Sequence, residues 1–252
     1  MKTKRPKSAK VETTATRAVV WYAAAFVTLA ALFWAYSPAM HTAFLFDDSK
    51  QQFATSSASD PLSSWIGPVR PLLMFSYFVN TRISLQDTWS YHFFNIVIHI
   101  LAGILVFLVI RRLMEWAGAD ESSRTPFAAC GAFLFLLHPL QTESVAYISG
   151  RSESLCGMFS AACLAAFLYR RSAAISWAGV AAVVALFGAA VLTKEQAVVL
   201  PVLFVLTDIW WNPDSPLVRC PNHPVRLFAL LDARLQHVHG LGGRRHRRSD
   251  LD

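Results

Sequence analysis

Two adjacent carboxylates follow the first long apolar segment of the chain. Asp47 and Asp48 come directly after Phe44-Leu-Phe. A carboxylate beside a membrane is costly if it enters the hydrocarbon, so it usually has a partner or a role there. Either one could act as a general base toward an acceptor hydroxyl. Because neighbouring side chains point in different directions, we expect only one to do so. The alternative is that both are solvated residues at a loop end.

A second set of ionisable residues lies between residues 138 and 195. Arg151 could hold a phosphate through its planar guanidinium group, and Lys194 could neutralise a second phosphate oxygen as a point charge. The alternative is that Lys194 pairs with Glu195 or Glu143 and only closes a loop. The candidate substrate-binding residues in this part of the chain are His138, Glu143, Arg151, Glu153, Lys194 and Glu195.

The histidines and cysteines do not suggest a metal site. His92, Asn95 and His99 share one helical face, but the two histidines are about 10.5 Å apart along a helix axis at 1.5 Å per residue. That distance is too long for one ion, so we expect hydrogen bonds to neighbouring helices instead. The four cysteines form no CxxC pair and are expected to be buried thiols. We therefore expect no metal-binding residues and no cofactor, and the sequence leaves open whether the protein depends on a metal.

The composition is that of a membrane protein. The chain is 54% hydrophobic and only 15% charged, whereas soluble domains carry roughly 25% charged residues. The net charge of +7 would suggest nucleic acid if it lay on one face, but the basic residues form short clusters between apolar runs. Binding of nucleic acid is therefore not expected.

The apolar runs predict an all-α protein with about six membrane spans. A helix of ~20 residues crosses a hydrocarbon core of ~30 Å. Segment 72–79 is too short to span and is expected to lie on the membrane surface, within a first outer loop at 37–91. The predicted spans are 18–36, 92–110, 126–140, 155–169, 175–192 and 196–211; the third is marginal in length and must tilt or thin the bilayer.

The basic clusters predict the orientation of these spans. With six spans, the clusters at 2–10, 111–112 and 170–171 and the tail after residue 211 fall on one side, which the positive-inside rule makes cytoplasmic. Both termini are then cytoplasmic, and the candidate residues gather on the opposite side. The chain divides into a basic N-terminus at 1–17, a membrane domain at 18–211 and a basic tail at 212–252, which is predicted to be disordered.

Five segments in order resemble one protein family. They are Phe46-Asp-Asp, Arg70-Pro-Leu, Tyr91-His-Phe-Phe-Asn-Ile-Val-Ile-His, the run from His138-Pro to Arg151, and Leu192-Thr-Lys-Glu-Gln. Their order and spacing resemble the membrane part of the transmembrane and tetratricopeptide-repeat O-mannosyltransferases and their bacterial relatives, of the GT-C glycosyltransferase class. No single segment is specific, but all five occur in order within about residues 18–211.

The family's chains continue with more spans and with tetratricopeptide repeats. This sequence contains no internal repeat of about 34 residues, and its tail after about residue 219 does not resemble the family. We therefore expect a truncated or frameshifted chain.

The resemblance implies a polyprenyl-phosphate sugar donor and transfer on the lumenal or periplasmic side. It implies that an acidic residue of the first outer loop is essential, a role that falls on Asp47 or Asp48. It also implies that basic residues near the membrane bind the lipid phosphate. Arg70, Arg151 and Lys194 are the candidates for that contact.

We therefore predict the N-terminal membrane part of a glycosyltransferase. It would move a sugar, mannose by resemblance, from a polyprenyl-phosphate donor to a protein Ser/Thr or another hydroxyl acceptor. The expected partners are membrane lipid, the lipid-linked sugar and a protein acceptor, in a bacterial inner membrane or the endoplasmic reticulum. Two alternatives stay open: a non-catalytic membrane scaffold or inactive fragment, and a transporter, which would need charged residues within its spans.

Overall fold

The computed structural model is a helical bundle that describes residues 8–57, 59–85, 87–170 and 176–211. No strand occurs in these ranges, so the predicted all-α class is confirmed. The predicted disordered tail and the first seven residues lie outside them. The α-helices are α1 (Ser8–Tyr36), α2 (Gln52–Thr55), α3 (Pro71–Ser84), α4 (Thr88–Trp116), α5 (Glu121–Leu137), α6 (Thr142–Ala146), α7 (Arg151–Leu168), α8 (Trp177–Thr193) and α9 (Leu200–Trp211). Short 3₁₀ turns lie at Ser37–His41, Phe46–Lys50, Leu62–Ser64, Pro139–Gln141 and Glu195–Val199.

Two helical segments of the described chain are long and apolar enough to cross a membrane. They are Val19–His41 and Thr88–Trp116, which correspond to the first two predicted spans. Helix α8 is apolar but has 17 residues, or about 26 Å at 1.5 Å per residue. Helix α9 has only 12 residues. The count of six spans therefore stays a prediction.

The helix starts follow from local sequence signals. The Asp87 side chain accepts a hydrogen bond from the Trp89 amide at 3.2 Å and caps α4. The Ser176 hydroxyl accepts from the Gly179 amide at 3.2 Å and caps α8. Side-chain acceptors of this kind satisfy the free amides of a first helical turn. Pro71 opens α3, where its missing N–H and fixed φ suit the first turn.

Helix α4 is the centre of the bundle, and it packs against both α5 and α7. Two glycines make the α4–α5 contact close. A Cβ atom on Gly103 would lie 2.6 Å from the Leu136 side chain, and one on Gly131 would lie 2.4 Å from Ile110. Such small residues let membrane helices approach closely.

Helix α7 also packs against α8, with Cys156 and Cys163 buried between them as predicted. Cys130, also expected to be buried, is instead exposed, because the buried residues of α5 are Ala128, Ala129, Ala132 and Leu136.

The segment between α1 and α4 folds into a cap over one end of the bundle. Segment 72–79 forms part of α3, whose Tyr77 hydroxyl donates to the Ile148 carbonyl oxygen at 2.9 Å. Phe53 and Tyr91 pack beside Tyr77 in a buried aromatic cluster. This end of the bundle, where α1 and α5 end and α4 and α7 begin, carries the candidate residues, and we call it the site end.

Candidate functional site

Asp48 is held in place by a residue far along the chain. It lies in the 3₁₀ turn Phe46–Lys50 and is 2% exposed. Its Oδ1 accepts hydrogen bonds from the amide and the hydroxyl of Ser149, at 2.9 and 2.5 Å. Its Oδ2 receives a longer contact of 3.4 Å from the Leu45 amide. The carboxylate therefore has a fixed orientation, and Oδ2 is the less engaged oxygen.

Asp47 has a different environment from its neighbour. Its side chain is 71% exposed and lies 3.5 Å from Lys50 Nζ. Its amide donates to the Tyr147 hydroxyl at 3.2 Å. Because the two side chains diverge, only Asp48 lines the cavity described next.

A cavity of about 620 Å³ opens beside Asp48. Its volume is in the range of pockets for small ligands, which combine apolar walls with a few polar groups. The polar side chains on its wall are Thr42, Asp48, His92, Thr142, Glu143 and Tyr147. Glu143, a predicted substrate-binding residue, thus lies in the same cavity as the candidate base.

Two cations at the site end are paired with carboxylates. Arg70 binds Glu195 through two parallel hydrogen bonds, Nε to Oε1 at 3.2 Å and Nη2 to Oε2 at 3.0 Å. Lys194 pairs with Glu153, whose other oxygen accepts from Gln196 Nε2 at 2.8 Å. The sequence-based alternative, in which Lys194 pairs with Glu195 or Glu143, is therefore wrong about the partner, because helix packing brings the start of α7 to the end of α8.

The charge of Arg70 affects the pKa of Lys194. Burial and the nearby charge of Arg70 lower the pKa of Lys194, whereas the carboxylates of Glu195 and Glu143 act in the opposite direction. The hydrogen bonds from Arg70 lower the pKa of Glu195. Both cations remain partly exposed, with 36% of the Arg70 side chain and 20% of the Lys194 side chain accessible. A ligand can therefore reach them.

Arg151 lies inside the bundle rather than at its surface. The residue is 0% exposed. Its Nε donates to Asn95 Oδ1 at 2.8 Å, and its Nη2 donates to Asn80 Oδ1 at 2.7 Å. Two backbone carbonyl oxygens, those of Ser76 and Tyr91, accept at 3.3 and 3.1 Å. One guanidinium thus connects α3, α4 and α7.

This position does not fit the expectation that Arg151 binds a donor phosphate. Its Nε and Nη2 are engaged by protein oxygens, and its guanidinium carbon lies 4.6 Å from the centre of the Tyr77 ring. A fully buried cation needs such partners because desolvation without them is very costly. In this position Arg151 links α3, α4 and α7. Arg70 and Lys194 are the accessible cations among the three that were expected to bind the phosphate.

His138 lies apart from the Asp48 cavity. It is exposed, and its Nδ1 accepts a hydrogen bond from the Leu140 amide at 3.2 Å. This bond caps the turn Pro139–Gln141. The structure therefore places this predicted substrate-binding residue in a loop turn, outside the cavity wall.

The hydrogen bonds expected from α4 to neighbouring helices are confirmed for Asn95 and His99, whereas the partner of His92 lies in the loop after α1. Asn95 Nδ2 donates to the carbonyl oxygens of Val145 and Tyr147, at 3.3 and 3.2 Å. His99 Nε2 lies 3.1 Å from the Leu136 carbonyl oxygen. His92 Nε2 lies 3.2 Å from the Thr42 hydroxyl, and His92 lines the Asp48 cavity.

Sequence reasoning missed Ser149 as the partner of Asp48. Serine is a common loop residue, and its position two residues before Arg151 gave no signal. Its contact with Asp48 depends on how the loop between α6 and α7 folds against the turn before α2.

Comparison with known proteins gives relatives of one kind. The human (Homo sapiens) protein O-mannosyl-transferase TMTC3 is 32% identical over 134 residues, which is 51% of this chain and 13% of that protein. Tmtc1 of Drosophila melanogaster, with the same enzyme name, is 30% identical over 194 residues, or 69% of this chain and 21% of that protein. The Caenorhabditis elegans protein O-mannosyl-transferase F38B6.6 is 30% identical over 164 residues, or 65% of this chain and 21% of that protein.

The chain spans about a fifth or less of the length of these curated relatives. No family model matches it, and no solved structure matches it. The agreement between the relatives and the five ordered segments nevertheless identifies the family. Over the part that it shares with them, the chain belongs to the TMTC family, the transmembrane and tetratricopeptide-repeat protein O-mannosyl-transferases.

Proposed function

We propose that the chain forms the catalytic membrane part of a glycosyltransferase. It moves a sugar from a polyprenyl-phosphate donor to a serine or threonine hydroxyl of a protein on the non-cytoplasmic side. The names of the relatives support mannose as the sugar. The observation that carries the proposal is Asp48, a buried carboxylate held by Ser149 on the wall of a cavity that also contains Glu143.

The reaction is a displacement at the anomeric carbon of the donor. The acceptor oxygen forms a bond to that carbon, and the bond from the carbon to the phosphate oxygen breaks. Asp48 Oδ2 takes the acceptor proton as general base. The bonding electrons leave with the polyprenyl phosphate, which is already ionised and needs no acid.

Arg70 and Lys194 bind the departing phosphate. A guanidinium that forms two parallel bonds with a carboxylate has the geometry to form them with a phosphate. The phosphate therefore replaces Glu195 on Arg70 and Glu153 on Lys194. Cations near the departing oxygen stabilise the negative charge that develops in the transition state.

A transfer assay tests the function directly. Membranes that contain the protein should move labelled mannose from a synthetic polyprenyl-phosphate mannose to a peptide that contains serine and threonine. Label transfer equal to that of membranes without the protein would contradict the proposal. Photo-crosslinking of a polyprenyl-phosphate analogue measures donor binding separately, without an acceptor.

Glu195→Gln should strengthen donor binding. The neutral amide competes less for Arg70, so the donor KM should fall by roughly 2- to 5-fold, the scale of one exposed ion pair. Glu115→Gln is the matched control, because Glu115 pairs with Arg112 at 2.7 Å near the other end of α4. A donor KM that rises in Glu195→Gln would show that Glu195 binds the substrate itself.

We also propose a multi-pass topology with both termini in the cytoplasm. It is supported by two membrane-capable helices and by basic clusters that alternate with the site residues along the chain. Reporters that are active on only one side of the membrane, placed after Trp211 and near Asp60, should report opposite sides. Activity of both on the same side would refute the six-span topology.

A further inference from the structure

Phe46 combines an unfavourable backbone conformation with an exposed aromatic ring. Its φ is 48°, in the left-handed region, where a bulky side chain is disfavoured because Cβ approaches the following carbonyl oxygen. The residue is 84% exposed, so packing of the ring does not offset this strain. Arg70 also has a positive φ, of 49°, but it gains the paired hydrogen bonds with Glu195. Phe46 has no comparable gain among the contacts described above.

The strained backbone belongs to the turn that positions Asp48. The Phe46 carbonyl oxygen accepts from the Ser49 hydroxyl at 2.8 Å, and the Asp48 amide donates to the Leu45 carbonyl oxygen at 2.9 Å. Phe46 also lines the same cavity as Asp48 and Glu143. The turn thus places an exposed ring at the rim of the cavity that holds the proposed base. Strained residues of this kind cluster at functional sites.

A sugar has the surface that such a cavity binds. One face of a mannopyranose carries C–H groups, and its edges carry hydroxyls. The negative face of an aromatic ring attracts C–H groups, and carboxylates accept hydrogen bonds from hydroxyls.

We propose that Phe46 is a sugar-binding residue. Its ring packs against the C–H face of the transferred pyranose, and Glu143 accepts a hydrogen bond from a sugar hydroxyl. This role rests on the proposed glycosyl transfer, and it adds the side chain that orients the sugar toward Asp48.

Saturation-transfer NMR with methyl α-D-mannopyranoside tests the contact on the purified chain. The wild-type protein should saturate the hydrogens of one pyranose face most strongly. Phe46→Trp should keep the signal, whereas Phe46→Leu and Phe46→Ala should lower it by roughly 2- to 12-fold, the scale of one aromatic contact. Phe127→Ala is the control, because Phe127 is another exposed ring, 61% accessible, near the start of α5.

Phe46→Gly separates binding from folding. Glycine adopts a positive φ without strain, so this variant should have a higher Tm than Phe46→Ala while it loses the sugar signal equally. Three results would overturn the role: no saturation by the wild-type protein, a full signal in Phe46→Ala or Phe46→Leu, or a lower Tm in Phe46→Gly than in Phe46→Ala.

Mannose transfer by the wild-type protein reports the proposed function independently. Full transfer by Phe46→Ala overturns the role of Phe46 and leaves the proposed function intact, whereas no transfer by the wild-type protein overturns the proposed function.

Discussion

Asp48→Asn should lower the rate of sugar transfer by about 10²- to 10⁴-fold, the usual loss when a general base is removed. Asparagine keeps the size of the side chain, and its oxygen can still accept from Ser149, but an amide does not take up the acceptor proton. The donor KM should change little, because Asp48 acts on the acceptor. Transfer rates and donor KM measured in the same membranes check both parts of this prediction.

Asp47→Asn is the matched control, because it makes the same chemical change one residue away. Its carboxylate is mostly exposed and pairs only loosely with Lys50, and exposed pairs of this kind contribute little. The variant should keep nearly wild-type transfer. If both variants keep wild-type turnover, the Asp48 cavity is not the catalytic site. If Asp47→Asn alone is inactive, the two carboxylates have been assigned in the wrong order.

Arg151→Met should destabilise the protein more than any other single change considered for this chain. Removing the cation leaves the side-chain oxygens of Asn80 and Asn95 without their donor inside the bundle. Each buried acceptor left without a donor costs about 1–3 kcal/mol, so losing the donor to both corresponds to a fall in Tm on the order of 10 °C. The Tm of Arg151→Lys should lie between those of the wild-type protein and Arg151→Met, because an ammonium group keeps the charge but cannot reproduce the planar fork of the guanidinium. Thermal unfolding in detergent measures these shifts.

Arg82→Met is the control for this series. Arg82 is exposed, donates to the Asp60 carbonyl oxygen at 2.7 Å and lies over the Phe78 ring, so its loss should change Tm only slightly. The donor KM of Arg151→Lys discriminates between the two roles of Arg151. If Arg151→Lys keeps the wild-type Tm but has a raised donor KM, Arg151 binds the donor phosphate and the positioning role is refuted.

Sequence patterns predict those features of the fold and the site that depend on residues close together in the chain. The apolar runs predicted the positions of α1 and α4, and the divergence of adjacent side chains predicted that Asp47 and Asp48 would differ. Which carboxylate faces the cavity depends on Ser149, a hundred residues later, and no local pattern contains that information. The same limit explains Arg151: its burial arises from asparagines on α3 and α4 that only the folded bundle brings to it.

Local sequence patterns also do not predict which acidic residue pairs with a given basic residue. Lys194 has Glu195 as its neighbour in sequence, but adjacent side chains project in different directions. Glu195 therefore pairs with Arg70, and Lys194 pairs with Glu153. Helix lengths set a further limit. The apolar run at 196–211 contains a 3₁₀ turn before α9 begins, so apolar content overestimated the length of the α-helix.

The bond between Asp48 and Ser149 joins residues 101 positions apart, and this sets the order in which the protein can mature. Asp48 leaves the ribosome well before its partner. At about 5–20 residues per second, the carboxylate waits several seconds beside the bilayer before Ser149 is made. During that interval it must stay in water, because an unpaired carboxylate is costly in hydrocarbon. Completion of this contact is thus coupled to synthesis and folding of the segment just before α7, so a defect there would disturb a carboxylate that was made a hundred residues earlier.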